Sequence, residues 1–150
     1  MSLAVASASY PETAYAPSPL VDLSSRETRE RLGPAAVRGF FAIMDKWGVS
    51  GDDARALLAM SHGPFYELKR TAASGAKKID EDRMLRISCL VGIYKALHIL
   101  HGKKLADEWV QLPNQNRIFA GQSPLQLMVR GGLPAMLTVR RLLDARRGGV

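Results

Sequence analysis

Apolar residues recur three or four positions apart through most of the chain, which is the spacing of one face of an α-helix. The first clear case predicts a helix over residues 34–47, with Pro34 in its first turn. A short polar helix from Ser24 or Ser25 is expected ahead of it, ended by Gly33 and Pro34. The apolar face of the predicted helix consists of Val37, Phe40, Phe41, Met44 and Trp47.

Two short helices are predicted next, the first beginning at Ser50 and the second covering residues 64–73. The short break between them and the apolar residues at their packing positions are typical of a helix-turn-helix, whose second helix enters the major groove of DNA. A plain helical hairpin is the alternative. The exposed candidates for DNA contact are His62, Tyr66, Lys69 and Arg70.

The longest apolar pattern predicts a helix over residues 80–100, and its apolar arc is so wide that the helix is either central or shared with a second subunit. Ser123 and Pro124 form a strong helix start, and Gly131 with Gly132 forms a clear stop. Shorter helices are predicted over residues 103–110, 124–130 and 134–146. No alternating strand pattern interrupts them, so the sequence predicts an all-α fold.

The chain has a net charge of +7, and two segments hold this excess. Residues 61–78 contribute +3 and residues 130–150 contribute +4. Such patches favour nucleic acid or an acidic protein surface as partner, although basic residues also serve simply to solvate a face. The single cysteine, Cys89, excludes an internal disulfide. With no apolar run long enough for a membrane span and no secretory signal, we expect a cytoplasmic protein.

The residues that carry chemistry in other proteins do not form a catalytic set here. His98 and His101 are spaced to share a metal, but no cysteine or carboxylate lies at a ligating position beside them, which favours core or interface roles. Cys89 has no base beside it and is interpreted as an apolar filler. Carboxylates cluster only at predicted helix starts, where they complement the helix dipole. We therefore expect no enzyme, no metal and no cofactor.

Several motifs of the C-terminal third occur together in one known family. These motifs are Trp109, Pro113-Asn114, Phe119-Ala120-Gly121-Gln122-Ser123-Pro124-Leu125, Val129-Arg130-Gly131-Gly132, Val139-Arg140-Arg141-Leu142-Leu143 and Arg146-Arg147-Gly148-Gly149. Through them, residues 103–149 resemble the toxin-binding domain of Xre/MbcA/ParS-type antitoxins, and residues 50–73 look, more loosely, like the Xre-type helix-turn-helix half of these proteins.

The resemblance implies a bacterial type II toxin–antitoxin system in which this chain is the antitoxin and not an enzyme. Its partner would be a RES-domain toxin that acts on NAD⁺, by degrading it or by using it for ADP-ribosylation. The antitoxin would occlude the toxin's active site, form a homodimer or a larger assembly with the toxin, and repress its own operon by binding operator DNA. The toxin-facing candidates carried over by position are Arg130, Arg140, Arg141, Arg146, Arg147, Gly148 and Gly149.

With this resemblance, the sequence divides into three regions. A disordered lead-in is expected at residues 1–24, a helix-turn-helix region at residues 25–76, and a helical dimerisation and toxin-binding region at residues 77–150. A stand-alone helix-turn-helix transcriptional regulator is the alternative function. If the C-terminal end plugs the toxin, removal of residues 140–150 is expected to abolish neutralisation while the fold stays intact.

Overall fold

The computed structural model describes residues 21–74 and 79–148, and within them the chain forms six α-helices and no strand. The predicted all-α class is therefore confirmed. Residues 1–20 of the expected lead-in, and Gly149 of the expected toxin-facing tail, lie outside the described residues. The helices are α1 (Arg26–Trp47), α2 (Gly51–Leu58), α3 (His62–Thr71), α4 (Glu81–Leu100), α5 (Lys103–Glu108) and α6 (Pro124–Arg147). Single 3-10 turns lie at Ala72–Ser74, Trp109–Gln111 and Arg117–Phe119.

Side-chain caps begin four of the helices. Ser50 accepts a hydrogen bond from the Asp53 backbone N–H at 3.1 Å, which confirms the predicted start of α2. Ser123 caps α6, as predicted, and Gln126 completes a reciprocal capping box by accepting from the Ser123 backbone N–H. Ser25 and Asp80 cap α1 and α4. Each cap accepts a hydrogen bond from a backbone N–H of the first helical turn, which has no partner within the helix. The start of the helix therefore depends on neighbouring residues in the sequence.

Helix α1 runs through Pro34, so the prediction that Gly33 and Pro34 separate two helices is wrong. Pro34 has no N–H to donate to the carbonyl of residue 30, which weakens the helix at this point. Packing offsets the loss, since Gly33 is buried and a Cβ on it would lie 3.4 Å from Ile79 Cγ2. The buried stripe from Val37 to Trp47 then holds the rest of the helix against the core.

Helix α4 is the centre of the fold, which was one of the two alternatives for its wide apolar arc. It packs against α1, α2, α5 and α6, and one core joins residues from both halves of the chain. Ile87, Leu90, Ile93 and Leu97 are at most 1% exposed. Each such side chain contributes about 1.5–3 kcal/mol by leaving water, so α4 organises the packing of its neighbours.

Two helix boundaries differ from the prediction. Helix α3 begins at His62, two positions early, because Ala59 ends α2 in the left-handed conformation and the extended Ser61 starts the next helix at once. The last two predicted helices form the single helix α6, with a kink at Gly132. Gly132 has φ 65° and ψ −150°, a region open essentially to glycine alone. The predicted stop therefore bends the helix and does not end it.

Two arginines of α4 tie the end of α2 to the centre of the fold. Arg83 donates to the backbone carbonyls of Leu58 at 3.1 Å and of Ala59 at 2.6 Å. Arg86 donates to the carbonyl of Leu57 at 3.1 Å. Carbonyls in the last turn of a helix have no partner within it, and these guanidinium groups supply one. The turn from α2 into α3 is thereby fixed to α4.

Candidate functional site

The arginines predicted to face a toxin divide between the two segments of α6. Arg130 is exposed on the segment before the kink, and its guanidinium donates to Gln122 Oε1 at 3.2 Å. Arg141 and Arg146 are exposed on the segment after the kink, and Arg147 is partly exposed. The structure therefore brings four of the five arginines, counting Arg140, onto the last segment of α6 and separates Arg130 from them by the bend.

Arg140 is held against the backbone of α4. A Cβ built on Gly92 would lie 2.4 Å from Arg140 Cζ, so the guanidinium rests where a side chain at position 92 would stand. Arg140 Nη1 donates to the Ser88 carbonyl at 3.3 Å, and its Nε lies 3.5 Å from Asp144 Oδ2. The side chain of Arg140 keeps 38% of its exposure. Arg140 is therefore packed on α4 and does not belong to a flexible C-terminal tail.

The end of α6 belongs to the core, which corrects the expectation that residues 140–150 can be removed without loss of the fold. Val139 and Leu143 are each 0% exposed. Loss of Leu143 would open a cavity, and loss of Arg140 would uncover Gly92. Gly148, the last described residue, is exposed and donates its N–H to the Asp144 carbonyl. Only the last turn of α6 is therefore removable in a test of function.

The loop that leads into α6 is held to the core by buried side chains. Trp109 and Phe119 are buried, with ring centroids 5.9 Å apart, and Pro124 is buried at the first position of α6. Pro113 is exposed. Across the loop, the Asn114 N–H donates to the Gln122 carbonyl at 3.2 Å. The ring contact and this hydrogen bond hold the loop in one conformation ahead of α6.

The four predicted DNA-contacting residues all lie exposed on α3. Tyr66 turns back toward α2, since a Cβ on Gly51 would meet its hydroxyl at 2.4 Å, and its ring lies 4.5 Å from that of His62. Arg70 donates two hydrogen bonds to the Glu67 carboxylate, at 2.6 and 3.2 Å, and this pairing raises the pKa of Arg70. Lys69 is also exposed, and unlike Arg70 it does not pair with Glu67.

His98 lies at a contact between two helices, beside a carboxylate that the sequence does not predict there. His98 Nε2 lies 2.9 Å from Asp107 Oδ1 and connects α4 with α5, while His101 Nε2 is buried. Among the described residues, no group of His, Cys, Asp and Glu is arranged to hold a metal ion. Cys89 is 2% exposed, and burial raises the pKa of its thiol to about 11.

Sequence reasoning missed the residues that join the two halves of the chain. Arg83 and Arg86 cap the end of α2, and Gly92 receives the guanidinium of Arg140. An isolated glycine inside a long apolar helix was the one available signal, because such a glycine usually marks a close approach by another group. The two arginine caps left no local signal, since their acceptors lie more than twenty positions away in the chain.

Comparison with known proteins identifies the last part of this fold. The model of the antitoxin Xre/MbcA/ParS C-terminal toxin-binding domain matches residues 95–149, beginning within α4 and ahead of the resemblance that the motifs indicate. The uncharacterized protein y4oB of Sinorhizobium fredii is 36% identical over 118 residues, which cover 77% of this chain and 87% of that protein. In the ranges 21–74 and 79–148, every helix is too short or too polar to cross a membrane. The chain therefore belongs to the Xre/MbcA/ParS antitoxin family and carries the family's C-terminal toxin-binding domain.

Proposed function

We propose that this antitoxin neutralises a RES-domain toxin, which consumes NAD⁺, by placing the arginine-bearing end of α6 in the toxin's active site. It catalyses no reaction of its own and needs no cofactor. The observation that carries the proposal is the last segment of α6, where Arg141 and Arg146 are exposed on either side of the buried Leu143. Leu143 anchors the segment in the core, while the two exposed arginines are available to a partner.

Arginine suits this role for a geometric reason. A planar guanidinium pairs with a carboxylate through two parallel hydrogen bonds. Carboxylates often hold the ribose hydroxyls in dinucleotide sites, so an arginine that engages them displaces the substrate. The anchored helix also lowers the entropy lost on binding, because the partner does not have to order a flexible tail.

The test is a co-expression experiment with the proposed RES-domain toxin. The native chain is expected to restore growth, and a chain with Arg141→Glu and Arg146→Glu is expected to fail. Arg38→Glu, at an exposed arginine of α1, is the matched control and should restore growth as the native chain does. Full rescue by the double variant, with the toxin still produced, would refute occlusion by this end of α6.

We also propose that the antitoxin represses its own operon through α3. The support is the exposed basic residue Lys69 on the second of two short helices joined through Ala59, Met60 and Ser61. Affinity for operator DNA is expected to fall steeply with salt, because phosphate contacts release counterions. Lys69→Ala should reduce the salt slope by about one, while Lys103→Ala on α5 should leave it unchanged. An unchanged slope for Lys69→Ala argues for the plain helical hairpin.

The assembly follows from the same proposal. A homodimer, or a larger complex with the toxin, is expected, and light scattering of the chain with and without the toxin measures it. A stand-alone regulator is the alternative function. It predicts DNA binding with no effect of the chain on the toxin.

A further inference from the structure

One line of residues runs along the outer side of α4. Its members are spaced three, four, three and four positions apart, so they share one face of the helix over about 21 Å. Leu85 is 40% exposed and Ile99 is 60% exposed, although both are large apolar side chains. We call this line the α4 platform, and it consists of Leu85, Ser88, Gly92, Lys95 and Ile99.

Gly92 is the buried member of the α4 platform, and Arg140 covers it. The guanidinium lies on the bare backbone at the middle of the line, between the apolar ends formed by Leu85 and Ile99. The Ser88 carbonyl and Asp144 hold it there, so its position is set before any partner arrives. A fixed, partly exposed guanidinium between two apolar contacts is suited to anchor an interface, because arginine is enriched among the few residues that dominate binding energy.

We propose that the α4 platform is a second docking surface for the toxin, distinct from the end of α6, and that it takes a carboxylate of the toxin on Arg140. Apolar side chains beside that carboxylate pack on Leu85 and Ile99. This inference rests on the proposed function, and it assigns the α4 platform as a surface that binds the toxin outside the toxin's active site. The surface is continuous with the toxin-binding domain, since Lys95, Ile99 and Arg140 fall within the matched residues 95–149.

Charge decides between the toxin and a second copy of this chain as the occupant. A two-fold packing of the α4 platform on itself around Gly92 would place Arg140 against its own copy, and on each side Arg140 and Lys95 together outweigh the one carboxylate of Asp144. Like charges brought together at the centre of an interface oppose association. A partner that presents a carboxylate removes this repulsion and accepts a charge-assisted hydrogen bond from the guanidinium.

The experiment measures the affinity of full-length variants for an inactive form of the proposed RES-domain toxin by calorimetry. Ile99→Asp and Arg140→Ala are each expected to weaken binding at least tenfold. Gly92→Ala should do the same with every arginine retained, because the added Cβ displaces the guanidinium. Val21→Asp is the matched control, an apolar residue 50% exposed outside the matched domain, and should stay within twofold of the native chain.

Circular dichroism shows whether each variant is folded, and light scattering gives the number of copies. Native affinity in Ile99→Asp and Gly92→Ala, with loss of affinity in Arg146→Glu, overturns the α4 platform but leaves the proposed function standing. If the native chain does not bind the toxin at all, the proposed function fails with it. Conversion of a native dimer to a monomer by Ile99→Asp, at unchanged toxin affinity, would assign the α4 platform to a second copy and overturn the proposal.

Discussion

Replacement of Arg86 by alanine tests whether α2 is fixed to the centre of the fold. The Arg86 guanidinium donates to the Leu57 carbonyl at 3.1 Å and lies 2.9 Å from Asp82 Oδ2, and its side chain is only 14% exposed. A hydrogen bond from a charged donor contributes about 1.5–3 kcal/mol, and leaving a buried carbonyl unpaired adds to the loss. We expect the free energy of unfolding to fall by about 2–3 kcal/mol, a large share of the stability of an ordinary domain.

Arg26 provides a matched control for this change. It forms the same kind of pair with Glu30, four positions on and at 3.0 Å, but the two side chains are 71% and 55% exposed. Exposed pairs of this kind contribute about 0.5 kcal/mol or less, so Arg26→Ala should change stability little. Urea unfolding followed by circular dichroism at equal denaturant slope gives both values. An Arg86→Ala loss no larger than that of Arg26→Ala would refute the proposed fastening of α2.

Further predictions concern the core, the kink and the cysteine. Leu143→Ala should lower the free energy of unfolding by about 2–5 kcal/mol in urea titration, because Leu143 is fully buried. Gly132→Ala should cost about 1–3 kcal/mol in the same assay, since its backbone conformation strains any other residue. Ser123→Ala should cost about 1 kcal/mol through loss of the helix cap. The Cys89 pKa is raised from 9.0 to about 11 by burial, so alkylation at pH 8 should be slow until urea is added. The stability that the buried neutral thiol contributes is full below pH 9 and is lost as pH rises through about 11, and Cys89→Ala should flatten this part of the pH profile.

The sequence predicts the helices well where their signals are local. Ser50 and Ser123 start helices as expected, because a cap needs only the residues of the next turn. The local pattern predicts breaks at Pro34 and Gly132, but in the structure Pro34 is an interior position of α1 and Gly132 is a kink in α6. In both cases tertiary packing keeps the chain helical beyond the break, which no local pattern reports.

In the candidate site, too, the sequence predicts the residues that a motif marks but not the contacts that the fold creates. The family resemblance and the charge pattern predict that the arginines of α6 face the toxin, and in the structure Arg141 and Arg146 are exposed. The contact of Arg140 with Gly92 joins residues far apart in the sequence, so spacing alone could not predict it. Because Leu143 is buried, substitution of single charges tests this end of α6 without removing part of the core.

Competition with the dinucleotide tests active-site occlusion most directly. The affinity of the native chain for the RES-domain protein is measured by calorimetry at increasing concentrations of a NAD⁺ analogue that the toxin cannot cleave. If the end of α6 occupies the dinucleotide site, the apparent Kd should rise linearly with the analogue concentration. An apparent Kd that stays constant, with both molecules bound to the toxin at once, would contradict the account.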